Sequence, residues 1–161
     1  MKRSSAFIIL LNLLLLLIYF NWNVFEKEKT LKQGELVLLE LAPVDPRSLM
    51  QGDYMRLSYS LVQNVSPHKL SKSGYCVVRL DGHQVAKRVR FQEDKLPLHE
   101  GEYLIKYFYN DRFIDLGAGS YFFEEGTQAK YVNAKYGGLR IDNEGNSVLT
   151  GLYDKSYNLI K

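Results

Sequence analysis

The sequence is poor in cysteine, poor in proline and almost without net charge. Cys76 is the only cysteine among 161 residues, so the chain can close no internal disulfide and has neither a CxxC redox pair nor a cysteine-based zinc motif. Setting aside Lys2 and Arg3 at the start leaves nineteen basic residues against eighteen acidic ones. Nucleic acid binding needs a concentrated basic surface to neutralise phosphates, and this balance excludes it. The histidines, His68, His83 and His99, are far apart and lack a second ligand at metal-site spacing. The glycines form no GxGxxG or P-loop pattern, so no cofactor and no metal is expected. No internal repeat or low-complexity segment appears, and the length suits one domain.

What the chain does have is one long apolar run and many aromatics. From Ala6 to Phe20 it reads AFIILLNLLLLLIYF, apolar all round apart from Asn12. Such a segment has no polar face to turn to water and is not a surface helix. Tyr19, Trp22 and Phe25 extend it with side chains that suit a membrane interface, which gives an expected transmembrane anchor over residues 6–25. Between Leu17 and Lys29 there is no Ala, Gly or Ser, so a signal-processing enzyme has no good site and the anchor is expected to stay attached. Lysines flank both ends and do not settle orientation. A tail as short as residues 1–5 usually stays in the cytoplasm while the long remainder is exported. Residues 26–33, mostly charged, read as a tether, and residues 34–161 as one extracytoplasmic domain. A free cysteine is compatible with that compartment.

The domain reads as mainly β. The segments ELVLLELA, DYMRLSYSLV, YCVVRL, QVAKRVRF, EYLIKYFY and SVLTGLY are rich in β-branched and aromatic residues and end in turn formers. Asp81-Gly82-His83 and the stretch from Asp142 to Asn146 suit tight hairpins. EYLIKYFY, with one charge in the strand interior, is the candidate central strand. Ala129, Val132 and Ala134 recur near helical spacing ahead of Gly137 and Gly138, which predicts one helix of about ten residues stopped by those glycines. The expected fold is therefore mainly β (α+β): an N-terminal transmembrane helix, then one antiparallel β domain carrying a single short helix.

At Gly52 the chain reads GDYMRLSY, preceded by LAPVDPRSLMQ and followed later by YFFEEGTQAKYVNAKYGGLRID and SVLTGLYD. This resembles the bacterial family named for its GDYXXLXY motif, over most of the chain after the anchor. The resemblance implies a small protein of the bacterial cytoplasmic membrane, no assigned reaction, and a multispan membrane protein as a partner. Read physically, the motif is a turn feeding a strand. Tyr54, Arg56 and Ser58 alternate with Met55, Leu57 and Tyr59 on the opposite face. Structural roles suit Gly52 as a backbone turn, Asp53 as an acceptor for nearby amides, Leu57 in the core, and Tyr54 and Tyr59 at the sheet boundary. The competing reading places Asp45, Arg47, Asp53 and Arg56 along a polar groove for a peptide or glycan.

An enzymatic alternative comes from VDPRSLMQGD, which can be laid on a membrane-anchored signal peptidase segment, with Lys87-Arg88 as the lysine segment. Lys87 would be the base, but Val44 stands at the nucleophile position, and without a hydroxyl a lysine has nothing to activate. The Glu124-Glu125 pair reads as a helix start rather than a general acid. Cys76 reads as a small buried hydrophobe. The leading expectation is a noncatalytic binding or accessory module for another membrane protein.

Overall fold

The structure is a computed structural model that describes residues 3–42, 50–51, 54–65, 70–110 and 113–161. It opens with α1 (Arg3–Gln33), of which Phe7–Gln33 is long and apolar enough to cross a bilayer, its most apolar stretch not buried against the rest of the chain. The helix outruns the expected anchor. Residues 26–33, read from their charge as a tether, continue it. Lys32 pairs with Glu28 one turn back at 3.1 Å, and Thr30 is buried against the domain. Composition hid this because a charged segment looks like a linker until one of its faces finds a partner.

Among the described residues ten strands follow: β1 (Glu35–Glu40), β2 (Met50–Gln51), β3 (Tyr54–Arg56), β4 (Ser73–Leu80), β5 (Ala86–Gln92), β6 (Glu102–Tyr109), β7 (Ile114–Asp115), β8 (Ser120–Phe122), β9 (Tyr136–Ile141) and β10 (Ser147–Tyr153). They pair antiparallel as β1-β9-β10, β2-β3-β8 and β5-β4-β6-β7. Single bridges, Leu38 to Val85 and Leu41 to Tyr59, tie β1 and its extension to the other two sheets. One core runs through all three, with Val37, Leu39, Met55, Leu57, Cys76, Val78, Ile105, Tyr107, Leu139 and Leu152 buried together. The architecture is the expected antiparallel β domain behind an apolar helix.

Strand β6 covers the eight residues EYLIKYFY and buries Leu104, Ile105 and Tyr107. It is interior, but β7 covers its outer edge only at Phe108 and Tyr109, whereas β4 has long partners on both sides. DYMRLSYSLV is not one continuous strand. β3 holds three residues of it, Tyr59 makes a single bridge, and Ser60–Val62 coil into a 3-10 turn.

Both expected hairpins form, and the same device closes them. In each, Oδ1 of the leading aspartate accepts backbone N–H groups two and four residues on: His83 and Val85 for Asp81, Glu144 and Asn146 for Asp142. Asp154 repeats the pattern with Ser156 and Asn158. The fourth residue of each loop must take a positive φ: Gln84 at 63°, Gly145 at 80° and Tyr157 at 63°. Only the second is a glycine. Tyr157 is held in place by its ring, stacked on His83 at 4.4 Å and on Tyr136 at 5.3 Å.

The expected ten-residue helix is a correction. α2 (Gln128–Tyr131) has four residues. Val132, counted as part of its apolar face, is exposed; Tyr131 instead packs between Tyr121 and Phe123, with ring centroids 5.2 and 5.5 Å away. Gly137 and Gly138 do not stop the helix but lie inside β9. A Cβ on Gly137 would stand 3.0 Å from the Tyr59 ring, and one on Gly138 would enter the Tyr153 ring. Glycine leaves room there for two aromatic side chains to cross the strand.

Gly138→Ala should therefore cost about 1–3 kcal/mol through overpacking, read by denaturant unfolding of the full chain in detergent. Gly82→Ala, where an added Cβ meets nothing within 4 Å, serves as the near-neutral comparison.

Candidate functional site

The motif segment divides cleanly by face. Met55, Leu57 and Tyr59 are buried, while Arg56 and Ser58 face outward and Tyr54 is half-buried. Tyr59 is the node of this region. Its hydroxyl donates to the Ala118 carbonyl at 2.7 Å, its ring lies over Gly137, and its backbone bridges to Leu41. Burial, with the Asp115 carboxylate nearby, pushes the phenol well above its ordinary pKa, so it remains a donor. Leu57 fills the core, and its N–H donates to the Gly119 carbonyl at 2.9 Å.

On the outer face, Tyr54 stands opposite Phe122 across β3 and β8, with ring centroids 5.7 Å apart. Phe122 is 74% exposed. Arg56 is exposed two residues along the same strand. Together they form an aromatic edge with a cation beside it. Asp45, Arg47, Gly52 and Asp53, the remaining candidate residues, lie outside the described residues.

A second locus lies where α1 meets the sheets, and nothing in the sequence reading pointed to it. The Thr30 hydroxyl lies 3.0 Å from Asp142 Oδ2, and the Arg140 guanidinium donates to the Gly34 carbonyl at 2.9 Å. Gly34 N–H closes the helix on the Thr30 carbonyl at 2.8 Å. A side chain on Gly34 would strike backbone, with the Ile141 carbonyl oxygen 2.7 Å from its Cβ. Asp142 also accepts from Asn146 Nδ2 at 2.8 Å. Burial works against its charge, but the hydrogen bonds from Asn146, Thr30 and Glu144 outweigh it, and its pKa falls below the ordinary carboxylate value. The signal that could have found this joint is slight: one β-branched hydroxyl residue inside an otherwise charged helical turn.

Beside the joint is a cavity of about 590 Å³ between the last turns of α1 and the base of the domain. Glu26, Lys29 and Gln33 line it on the helix side, with Leu98, Tyr103 and Asp142 opposite. Glu102 also reaches it, with its side chain 2% exposed. Arg90 donates to both Glu102 carboxylate oxygens, at 2.9 and 2.8 Å, and to the Pro97 carbonyl at 2.7 Å, while His99 N–H donates to the same carboxylate at 3.1 Å. The bonds from Arg90 outweigh burial and hold the carboxyl down to about 2. This network fixes the loop from 93 to 101 against the cavity.

Residues 16–152, from the middle of α1 through nearly all of β10, match the family model described as GDYXXLXY protein. The chain belongs to the GDYXXLXY family. No curated protein and no solved structure matches it. In this GDYXXLXY protein the name-giving segment serves two ends at once, since Leu57 and Tyr59 hold sheets together while Tyr54 and Arg56 meet solvent on the outer face. Lys87, the base of the hydrolase reading, is exposed on β5 and stands opposite Arg79. Cys76 is fully buried, and burial pushes its thiol up to about 12. Glu124 and Glu125 are exposed in the turn ahead of α2.

Tyr59→Phe should lower stability by about 1–3 kcal/mol, because the Ala118 carbonyl loses its buried donor while the ring still fills its place over Gly137. Urea unfolding in detergent checks this, with unchanged secondary structure by circular dichroism as the accompanying expectation.

Glu102 sets a pH dependence. Its folded pKa of about 2 lies below the ordinary 4.5, so its stabilisation is complete above 4.5 and is lost as pH falls from there toward 2. Glu102→Gln should lower the melting temperature at neutral pH and flatten the acid decline in that window, measured by thermal unfolding from pH 7 to 2.

Proposed function

We propose that this GDYXXLXY protein is a single-pass protein of the bacterial cytoplasmic membrane, with its β domain outside the cytoplasm. There it serves as a noncatalytic binding or accessory module for another membrane protein. The observation that carries this reading is the continuity of α1 into the docked domain. The apolar segment and residues 26–33 form one helix, and Thr30, Asp142, Arg140 and Gly34 lock its end to the sheet. An enzyme that collects soluble substrates gains little from a fixed stance over the bilayer. A module that must meet a partner in the same membrane gains fixed height and rotation, and so avoids the ordering cost of a flexible tether on binding.

A second reading is favoured by a different observation, the half-buried Tyr54 ring against the exposed Phe122 beside Arg56. An aromatic edge with an adjacent cation suits the ring faces of a glycan or the side chains of a peptide. Under this reading the same domain binds an envelope polymer or an extended chain along β8.

Affinity isolation of the gently solubilised full chain should recover a specific multispan membrane protein. Inserting two glycines between Gln33 and Gly34 should reduce that recovery by about tenfold while leaving the unfolding transition of the domain in place. Equal recovery with the flexible insert would remove the argument from the rigid joint, and no membrane partner from wild type would remove the proposal. Loss of recovery with Phe122→Ala alone would shift the contact to the aromatic edge.

A further inference from the structure

The joint fixes the rotation of α1 about its own axis, and that rotation selects one face of the membrane segment. At 3.6 residues per turn, positions eighteen apart on a straight helix fall in line. Asn12 is eighteen residues before Thr30, the residue buried against the domain. Leu16, Tyr19 and Asn23 lie within about 40° of the same line, and Glu26, on the cavity wall, does too. The stripe beneath the domain thus carries a carboxamide inside the apolar run and another near its end.

Asn12 Nδ2 donates to the Ile8 carbonyl at 3.2 Å, which leaves its second N–H and its Oδ1 without a partner among the described residues, at an exposed position in the span. In hydrocarbon such groups are costly and seek a partner helix. Two occupants compete for this face. A second copy would present the same carboxamide at the same depth. Its helix, however, also continues to Gln33, about 12 Å beyond Phe25, and would run into the first copy's domain, which occupies the Thr30 side at that height. A helix that ends near the membrane surface meets no such obstacle.

Resting on the binding-module reading above, we infer that the Asn12–Leu16–Tyr19–Asn23 face of α1 is the docking stripe for a transmembrane helix of a different protein. That helix carries a hydrogen-bonding side chain at the depth of Asn12, and its outer end, bearing a basic residue, enters the cavity beneath the domain. The basic end follows from the charge of that cavity. Among the described residues, Arg90 and Arg79 pair with Glu102 and Lys95 pairs with Glu144, but Glu26 and Glu35 carry no ion pair, and Lys29 is the one basic residue on the lining. Helix and cavity then form one continuous surface on the same side of the chain, half in lipid and half above it.

Photo-cross-linking of the full chain in its native membranes tests this directly. A benzoylphenylalanine is placed singly at Leu16, Tyr19, Leu14 or Leu17, the last two on the opposite side of the helix, and at Phe122 in the domain. Adducts to another membrane polypeptide should be about fivefold more abundant from 16 and 19 than from 14 and 17. They should fall about threefold or more in Asn12→Leu, survive Asn12→Gln, and fall with Glu26→Lys. Equal yields from all four helix positions, or yields indifferent to Asn12→Leu, would overturn the stripe. Adducts at twice the chain's own mass would replace the foreign helix with a second copy. If position 122 still cross-links a membrane protein while the helix positions do not, the module reading stands and the helix contact falls. No adduct from any position would remove both.

Discussion

The domain depends on the Tyr59 side chain crossing from one sheet to another. Its ring occupies the space that Gly137 leaves open in β9, and its hydroxyl reaches the Ala118 carbonyl at 2.7 Å in the segment before β8. Its backbone meets Leu41 at the end of β1. Three chain segments separated by many residues are thus pinned by one aromatic residue. A tyrosine suits this task because it brings a large apolar body and a single directional donor. Phenylalanine would fill the same volume and leave a carbonyl without its donor. A Cβ at 137 would stand 3.0 Å from the ring and force it to shift.

The β pattern was legible because it rests on alternation and turn chemistry, both local. EYLIKYFY and SVLTGLY coincide with β6 and β10, and the aspartate-led loops at 81 and 142 form the hairpins their residues favour. The face assignment of the motif was legible for the same reason: Met55, Leu57 and Tyr59 go inward as a period of two requires. The misreadings share another cause. Gly137 and Gly138 resemble a helix stop, and only the Tyr59 and Tyr153 rings, distant in sequence, show that they are clearance for side chains. Residues 26–33 resemble a tether because the partner that orders them, Asp142, lies 112 residues from Thr30. Of the candidate site, the local half of the motif was readable, while the cavity and the Arg90–Glu102 network, assembled from separated strands, were not.

The Arg90–Glu102 pair raises the question of why so polar a device sits where an apolar plug would serve. Isolated buried ion pairs rarely add net stability, since desolvation offsets attraction. Here both groups are fully engaged, and the arginine also holds the Pro97 carbonyl while Gln92 holds that of Asp94. The result is an ordered loop from 93 to 101 without a strand of its own. That loop contributes Leu98 to the cavity, so the pair shapes the wall that faces α1. The arrangement holds that wall in one shape.

Rigid coupling has a consequence for the whole molecule. A domain on a loose tether samples all rotations above the bilayer, and the residues of its membrane segment then bear no fixed relation to those of its surface. Thr30 is hydrogen-bonded to Asp142, and Gly34 sits too close to the Ile141 carbonyl to carry a side chain, so the end of the helix is docked on the sheet. Under the proposed membrane reading, a polar side chain on the helix, such as Asn12, would help orient the domain. In the proposed binding module, the docked helix and domain together would present a two-part surface to a neighbour in the same membrane.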